Sequence, residues 1–223
     1  MTGFAYWMKY HLTNLPDIAG GWHLDYITNN TTIDFSKNLN HGTVYGPTIL
    51  PGLIDKCLSF DGVDDYVDLA AKPAFDLTKL TILVWVNATS FKTDLHNGIV
   101  CKRKWAKRCF SLYTWDKWLF ASIHVGGVTY PFGGSELPKH SWQHLSLTYD
   151  REQALLYRNA NLIHTNDTMS GDLDIYTDQP LEIARFDGNI NLCWTGLIDH
   201  VTIYNRILTP SDIKRHAERT YPS

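Results

Sequence analysis

The chain has 223 residues, 44% hydrophobic and 19% charged, which suits a globular protein with a substantial core of one large β-domain or two small ones. Its formal net charge of -3 excludes wholesale neutralisation of nucleic-acid phosphates. No apolar run reaches the ~18 residues that a membrane-spanning helix requires. Aromatic residues make up 13%, with 8 Trp and 12 Tyr, a bias that fits pleated sheets and stacking surfaces equally well.

In chain order, the first ~20 residues carry no basic stretch leading into an apolar core, so no signal peptide is expected. Phe4, Tyr6, Trp7 and Tyr10 make this segment too aromatic for a disordered tag, and residues 1–21 are expected to pack as an extension on the domain edge. Asp34, Ser36, Asn38 and Asn40 then crowd side-chain oxygens into seven residues before Gly42. Such a loop fits either a hard cation, which takes six to eight oxygens, or plain Asx- and ST-turns. From residue 57 on, the pattern is one of short strands between Gly, Asn, Asp and Pro signals, which predicts an all-β sandwich or barrel. Gly62 is expected to supply a turn from which Phe60 and Tyr66 both point inward.

"LTILVWVNA" sets Leu80, Ile82, Val84 and Val86 on one side and Leu83 and Trp85 on the other, so it reads as a central strand. Trp85, Trp142 and Tyr149 read as core aromatics. "CKRKWAKRC" follows, Cys101 to Cys109, with Lys102, Arg103, Lys104, Lys107 and Arg108 supplying five of the chain's 20 Lys and Arg. It reads as the loop between two paired strands, with its cysteines a plausible cross-strand clasp. Lys102, Arg103, Lys104 and Trp105 are candidate contacts for an anionic ligand; the competing reading is a solvated tip that blocks edge pairing. In "CFSLYTW", Tyr113 and Trp115 share the face opposite Phe110 and Leu112. On the next strand Trp118, Phe120, Ser122 and His124 continue the stripe. Tyr113, Trp115 and His124 are therefore candidate sugar contacts, weighed against aromatics that merely cover a sheet. At the end of the chain, Thr209, Pro210 and Asp212 predict a capped helix over "SDIKRHAER".

The segments "LSFDGVDDYVDL", "LTILVWVNA", "WQHLSLTYD", "LYRNANLI" and "GLIDHVTIYNRILTPSDI" occur in this order. Together they resemble the concanavalin A-like, laminin-G-like jelly-roll domain across residues 22–216, and "DFSKNLNHGTV" looks like that family's Asp-x-Ser-Gly-Asn loop with Lys37 in place of glycine. The resemblance implies a two-sheet antiparallel jelly-roll sandwich with a short C-terminal helix, over residues 22–223. It also implies a structural Ca²⁺ held by Asp34, Asn38, Asn40 and Asp199, with His200 standing where the family prefers Glu. An aspartate inside a strand otherwise suits β-structure poorly.

The function expected from this resemblance is a glycan- or polysaccharide-binding module on an extracellular, cell or particle surface. An anionic glycan is the ligand that the basic stretch would favour, with another protein as the alternative partner and neither nucleic acid nor membrane expected. A polysaccharide lyase or glycosidase is the runner-up class, and a structural module the third. The Glu-x-Asp-x-x-Glu strand of jelly-roll glycosidases does not occur. A lyase would need a base poised near neutrality, for which only His124 with Tyr157 offers itself.

Overall fold

The computed structural model describes residues 17–218; the aromatic residues Phe4, Tyr6, Trp7 and Tyr10 lie outside them. The strands, in chain order, are β1 (Ile18–Trp22), β2 (Thr31–Thr32), β3 (Gly42–Tyr45), β4 (Thr48–Pro51), β5 (Lys56–Asp61), β6 (Tyr66–Asp68), β7 (Leu80–Ala88), β8 (His96–Lys104) and β9 (Lys107–Trp115). They continue with β10 (Trp118–Val125), β11 (Val128–Glu136), β12 (Gln143–Tyr149), β13 (Ala154–Arg158), β14 (Asn161–Asn166), β15 (Glu182–Ile183), β16 (Arg185–Phe186), β17 (Asn189–Cys193) and β18 (Thr195–Tyr204), and one helix, α1 (Pro210–Ala217), closes the series.

Two eight-stranded antiparallel sheets form a sandwich. The first runs β14-β13-β12-β7-β18-β5-β4, with β1 added beside β18; the second runs β11-β10-β9-β8-β15-β6-β3-β2. The central position of β7, between β12 and β18, explains why it is apolar on both faces. Leu80, Ile82, Val84 and Val86 enter the core, where they meet Val100, Phe110, Leu112, Leu119, Ala121 and Ile123 from the second sheet. Leu83 points the other way, into a smaller cluster with Tyr204, Leu208 and Ile213 of α1. The helix starts where the sequence signals it: the Thr209 side chain accepts from the Asp212 amide, and Asp212 answers at the Thr209 amide. Such a cap is worth about 1 kcal/mol.

Two expectations about side-chain placement, for Trp142 and Tyr66, are corrected. Tyr149 and Trp85 are buried as expected, Trp85 on the outer side of its sheet against His144 with ring centroids 5.0 Å apart, but Trp142 is only partly buried. Tyr66 faces outward as well, stacked on Tyr45, because the inward position of its short strand goes to Val67. In β18, simple alternation would put Asp199 beside Val201. Instead the register against β7 slips between Asp199 and Thr202, and His200 takes a left-handed φ of 48°. This bulge adds one residue, so Ile198, Val201 and Ile203 all enter the core while Asp199 faces away from it.

A separate two-stranded hairpin, β16–β17, belongs to neither sheet. It lies on the outer face of the second sheet over β8. Gly98 makes that approach possible, since a Cβ there would stand 2.3 Å from the Arg185 carbonyl carbon.

Candidate functional site

The outer face of the second sheet carries the expected stripe as cross-strand rows. Antiparallel register sets His96 opposite Trp115 and Trp115 opposite Trp118; Gly98, Tyr113 and Phe120 form the next row, and Cys101, Ser111 and Ser122 the third. Directly opposed residues on one face of a sheet have Cβ atoms about 4.5–5.5 Å apart, so each row sets neighbouring side chains side by side. The His96 ring meets Trp115 edge-on at 4.4 Å and stacks on Phe186 of the hairpin at 4.2 Å. Tyr113 stacks with Phe120 at 5.9 Å, and the Ser111 and Ser122 hydroxyls are 2.6 Å apart.

Accessibility divides these rows. Trp115 and Trp118 are 43% and 38% exposed, at the end of the β9–β10 hairpin, with the Lys117 ammonium over the Trp118 ring. Tyr113 is buried beneath Phe186 and Phe120. His124 is buried too: its Nδ1 lies 3.0 Å from the Thr129 hydroxyl, and its Nε2 has no hydrogen-bond partner. Burial, with Arg103 and Arg108 nearby, pushes its pKa down to about 3. Sequence reasoning missed His96 and Phe186. The signal for His96 was available in its place opposite Trp115; Phe186 reaches the site only through the separate hairpin.

The basic stretch is not a loop of seven residues. Strands β8 and β9 run through it, and only Trp105 and Ala106 form the turn, with Trp105 75% exposed in a left-handed conformation. Lys102 is corrected most sharply. Its side chain points inward opposite Phe110 and is 1% exposed; Nζ lies 2.9 Å from Asp76 and also reaches the Tyr176 and Gln179 carbonyls. A residue so placed has no surface to offer a ligand. Arg103 is nearly buried as well, with Nε 3.3 Å from Asp187 and its guanidinium over the Phe186 ring. Lys107 pairs with Asp178, and Arg108 donates to the Trp105 carbonyl. Lys104 remains exposed at the tip with Trp105.

Cys101 and Cys109 are free thiols on opposite faces, so the expected clasp is corrected. Cys101 faces outward with Tyr113 and Phe186, whereas a register slip between Lys102 and Arg103 turns Cys109 into the core.

The residues expected to hold calcium are each engaged in hydrogen bonds within the protein. Asp34 accepts from the Gly21 and Ser36 amides and the Ser36 hydroxyl at 2.6–2.9 Å, and from the Asn40 amide at 2.8 Å. Asn38 and Asn40 donate their side-chain amides to the Ile18 and Ala19 carbonyls, so the whole loop is tied onto β1. Asp199 serves another segment: Oδ2 accepts from the Leu53 and Ile54 amides and Oδ1 from His200. A carboxylate has about four lone-pair sites, and here they are spent on protein donors. This arrangement does not fit the ion.

Beside Asp199 lies a titratable network. His200 Nε2 is 2.9 Å from His23 Nδ1, and burial, with the Asp199 charge adding to it, raises Asp25 to about 7. Burial holds three other groups neutral: His96 at about 4, His124 at about 3 and His144 at about 3. A histidine with a depressed folded pKa contributes stability above its unfolded value of ~6.5 and loses it as pH falls toward the folded value. Asp25 acts in the opposite sense, because its raised pKa favours folding as pH falls from about 7 to 3.8. The three large histidine shifts oppose Asp25 and the smaller rises that burial causes at Asp65 and Glu182, and predict that the melting temperature drops between pH 6.5 and 4.5, and drops more steeply in Asp25→Asn. A melting temperature that stays flat or rises over that range would contradict the assignment.

The paired sheets and the inward and outward faces of their strands define an antiparallel jelly-roll β-sandwich. The chain belongs to the concanavalin A-like lectin/glucanases superfamily, whose laminin G profile matches residues 61–214. No curated protein sequence matches it. Among solved structures it is similar to domain 4 of a GH43 extracellular arabinanase from Geobacillus stearothermophilus, in complex with arabinotriose: 19% identity, TM-score 0.74, covering 91% of this chain and 98% of that one. The binding domain of Paraclostridial Mosquitocidal Protein 1 gives 15% identity and TM-score 0.73, over 90% of this chain and 52% of that one. Trypanosoma rangeli sialidase in complex with sialic acid gives 13% and 0.71, over 92% and 33%. The chain thus spans about half of the toxin domain and a third of the sialidase. No helix among the described residues is long and apolar enough to cross a membrane.

Proposed function

We propose that the chain is a glycan-binding module of an extracellular protein, and that Trp115 and Trp118, with His96 and Phe120 behind them, form its contact platform. One observation carries this reading. Two exposed indoles stand directly opposite each other on one face of the β9–β10 hairpin, with the His96 ring edge-on against Trp115. Indole faces stack on the apolar sides of sugar rings, while neighbouring polar groups reach the ring edges. The similarity to an arabinanase domain solved with arabinotriose and to a toxin binding domain supports the same class. An anionic ligand gains little support, because Lys102, Arg103 and Lys107 are already ion-paired. The buried, neutral His124 also favours binding over elimination chemistry, since a pKa of about 3 makes a poor base near neutrality.

The test is calorimetry with arabinotriose and a panel of neutral and acidic oligosaccharides. Trp115→Ala and Trp118→Ala should each weaken the best ligand about tenfold, equivalent to ~1.4 kcal/mol, and both leave the fold intact. Undiminished affinity in the double variant would sink the platform.

A further inference from the structure

The β16–β17 hairpin divides the outer face of the second sheet, and a second concavity lies on its far side. It is a cleft of about 520 Å³ whose lining includes Asn30, Tyr45, Gly46, Asp64, Tyr66 and Ile190 of β17. We propose that this cleft is a second sugar subsite, taking one neutral sugar ring stacked on Tyr45 with its hydroxyls donated to Asp64 and Asn30.

The aromatic wall is already ordered. Tyr45 and Tyr66 oppose each other across β3 and β6, their rings stacked at 4.5 Å with an interplanar angle of 14°. The Arg185 guanidinium lies 3.4 Å from the centroid of the Tyr66 ring, and Glu182 beneath it holds Arg185 in place. Both faces of Tyr66 are therefore taken, and Tyr45, 44% exposed, is the ring left to a ligand. A stacked ring of fixed orientation loses little side-chain entropy on binding, which favours a weakly held, flat ligand such as a saccharide.

The polar side of the cleft selects by charge. Asp64 lies with Asp61 and Asp65, their carboxylate oxygens within 4.8 Å of one another. Asp65 accepts from the Asp61 amide at 2.8 Å, and Asp61 from the Val63 amide at 2.7 Å. Gly46 makes room for the Asp65 carboxylate: at its φ of 87°, a Cβ would stand 1.8 Å from the Asp65 oxygen. None of the three is ion-paired to a described residue. Three carboxylates so close repel a uronate or sulfate and accept readily from hydroxyls. Four strand spacings, on the order of 19 Å, separate this cleft from the Trp115 platform, so the two sites are independent.

The experiment is a ¹⁵N-NMR titration of the full chain with arabinotriose, maltotriose and trigalacturonate. The neutral trisaccharides should shift the amides of Asn30, Tyr45, Gly46, Asp64 and Ile190, and trigalacturonate should not. Tyr45→Ala and Asp64→Asn should each weaken that response at least tenfold, Tyr45→Phe should keep it within about twofold, and the Trp115→Ala/Trp118→Ala variant should keep it entirely. Shifts confined to residues around Trp115, no response to either neutral sugar, equal binding of trigalacturonate, or an unchanged Tyr45→Ala response would each overturn the subsite. In the unsubstituted chain, a cleft response with no shift around Trp115 would count against the platform alone.

Discussion

Lys102→Met is expected to lower the unfolding free energy by about 3–5 kcal/mol, the cost of removing one partner from a buried ion pair. The Lys102 ammonium, 1% exposed, is the point where three segments meet: Asp76 at 2.9 Å, the Gln179 carbonyl at 3.3 Å and the Tyr176 carbonyl at 3.4 Å. Methionine fills most of the volume but donates nothing, so a carboxylate and two carbonyls would lose their partner together. Urea denaturation measures the difference, and the melting temperature should fall by roughly 10 °C. Asp76→Asn in the Lys102→Met background should restore much of the loss, because the unpaired charge disappears. Lys104→Met, at the exposed tip, should stay within about 0.5 kcal/mol of the parent. A loss below about 1 kcal/mol for Lys102→Met would mean that the pair is not formed.

Asp34→Ala is expected to cost a similar ~3–5 kcal/mol through a different mechanism. The amides of Gly21, Ser36 and Asn40 all donate to this one carboxylate, which is 3% exposed. Water cannot easily replace it. Asp34→Asn should lose about half as much, since its amide oxygen still accepts while its NH₂ faces other donors. The effect should be the same with excess calcium or with a chelator, because the carboxylate acts here as a hub for the loop. A loss that appears only in calcium would restore a metal role to Asp34.

The parts of this architecture that depend on local pattern were legible in the sequence. The two-sided apolarity of β7 announced a central strand, Thr209 and Asp212 announced the helix start, and the alternation in "CFSLYTW" placed Tyr113 and Trp115 on the outer face. What alternation cannot show is a residue that breaks it. The extra residue at His200 and the slip at Lys102/Arg103 each change which side chains face inward, and neither carries a composition signal. Lys102 and its acceptors Asp76, Tyr176 and Gln179 are far apart in sequence, so five clustered cations read as a charged finger when three of them are ion-paired. The Tyr45–Tyr66 stack was hidden for a related reason. It depends on pairing β3 with β6, and on an arginine from a hairpin more than a hundred residues later.

That hairpin has an evolutionary consequence. Strands β16 and β17 contribute to neither sheet, and their turn at Asp187–Gly188 has left-handed backbone at both residues, φ 59° and 64°. Insertions and deletions are best tolerated at such surface turns. Phe186 supports one proposed sugar contact, and Ile190 lines the other. A change in this single ridge would therefore reach both recognition surfaces at once, and because Asp187 pairs with Arg103 and Phe186 covers Tyr113, it would also be felt by the sheet beneath.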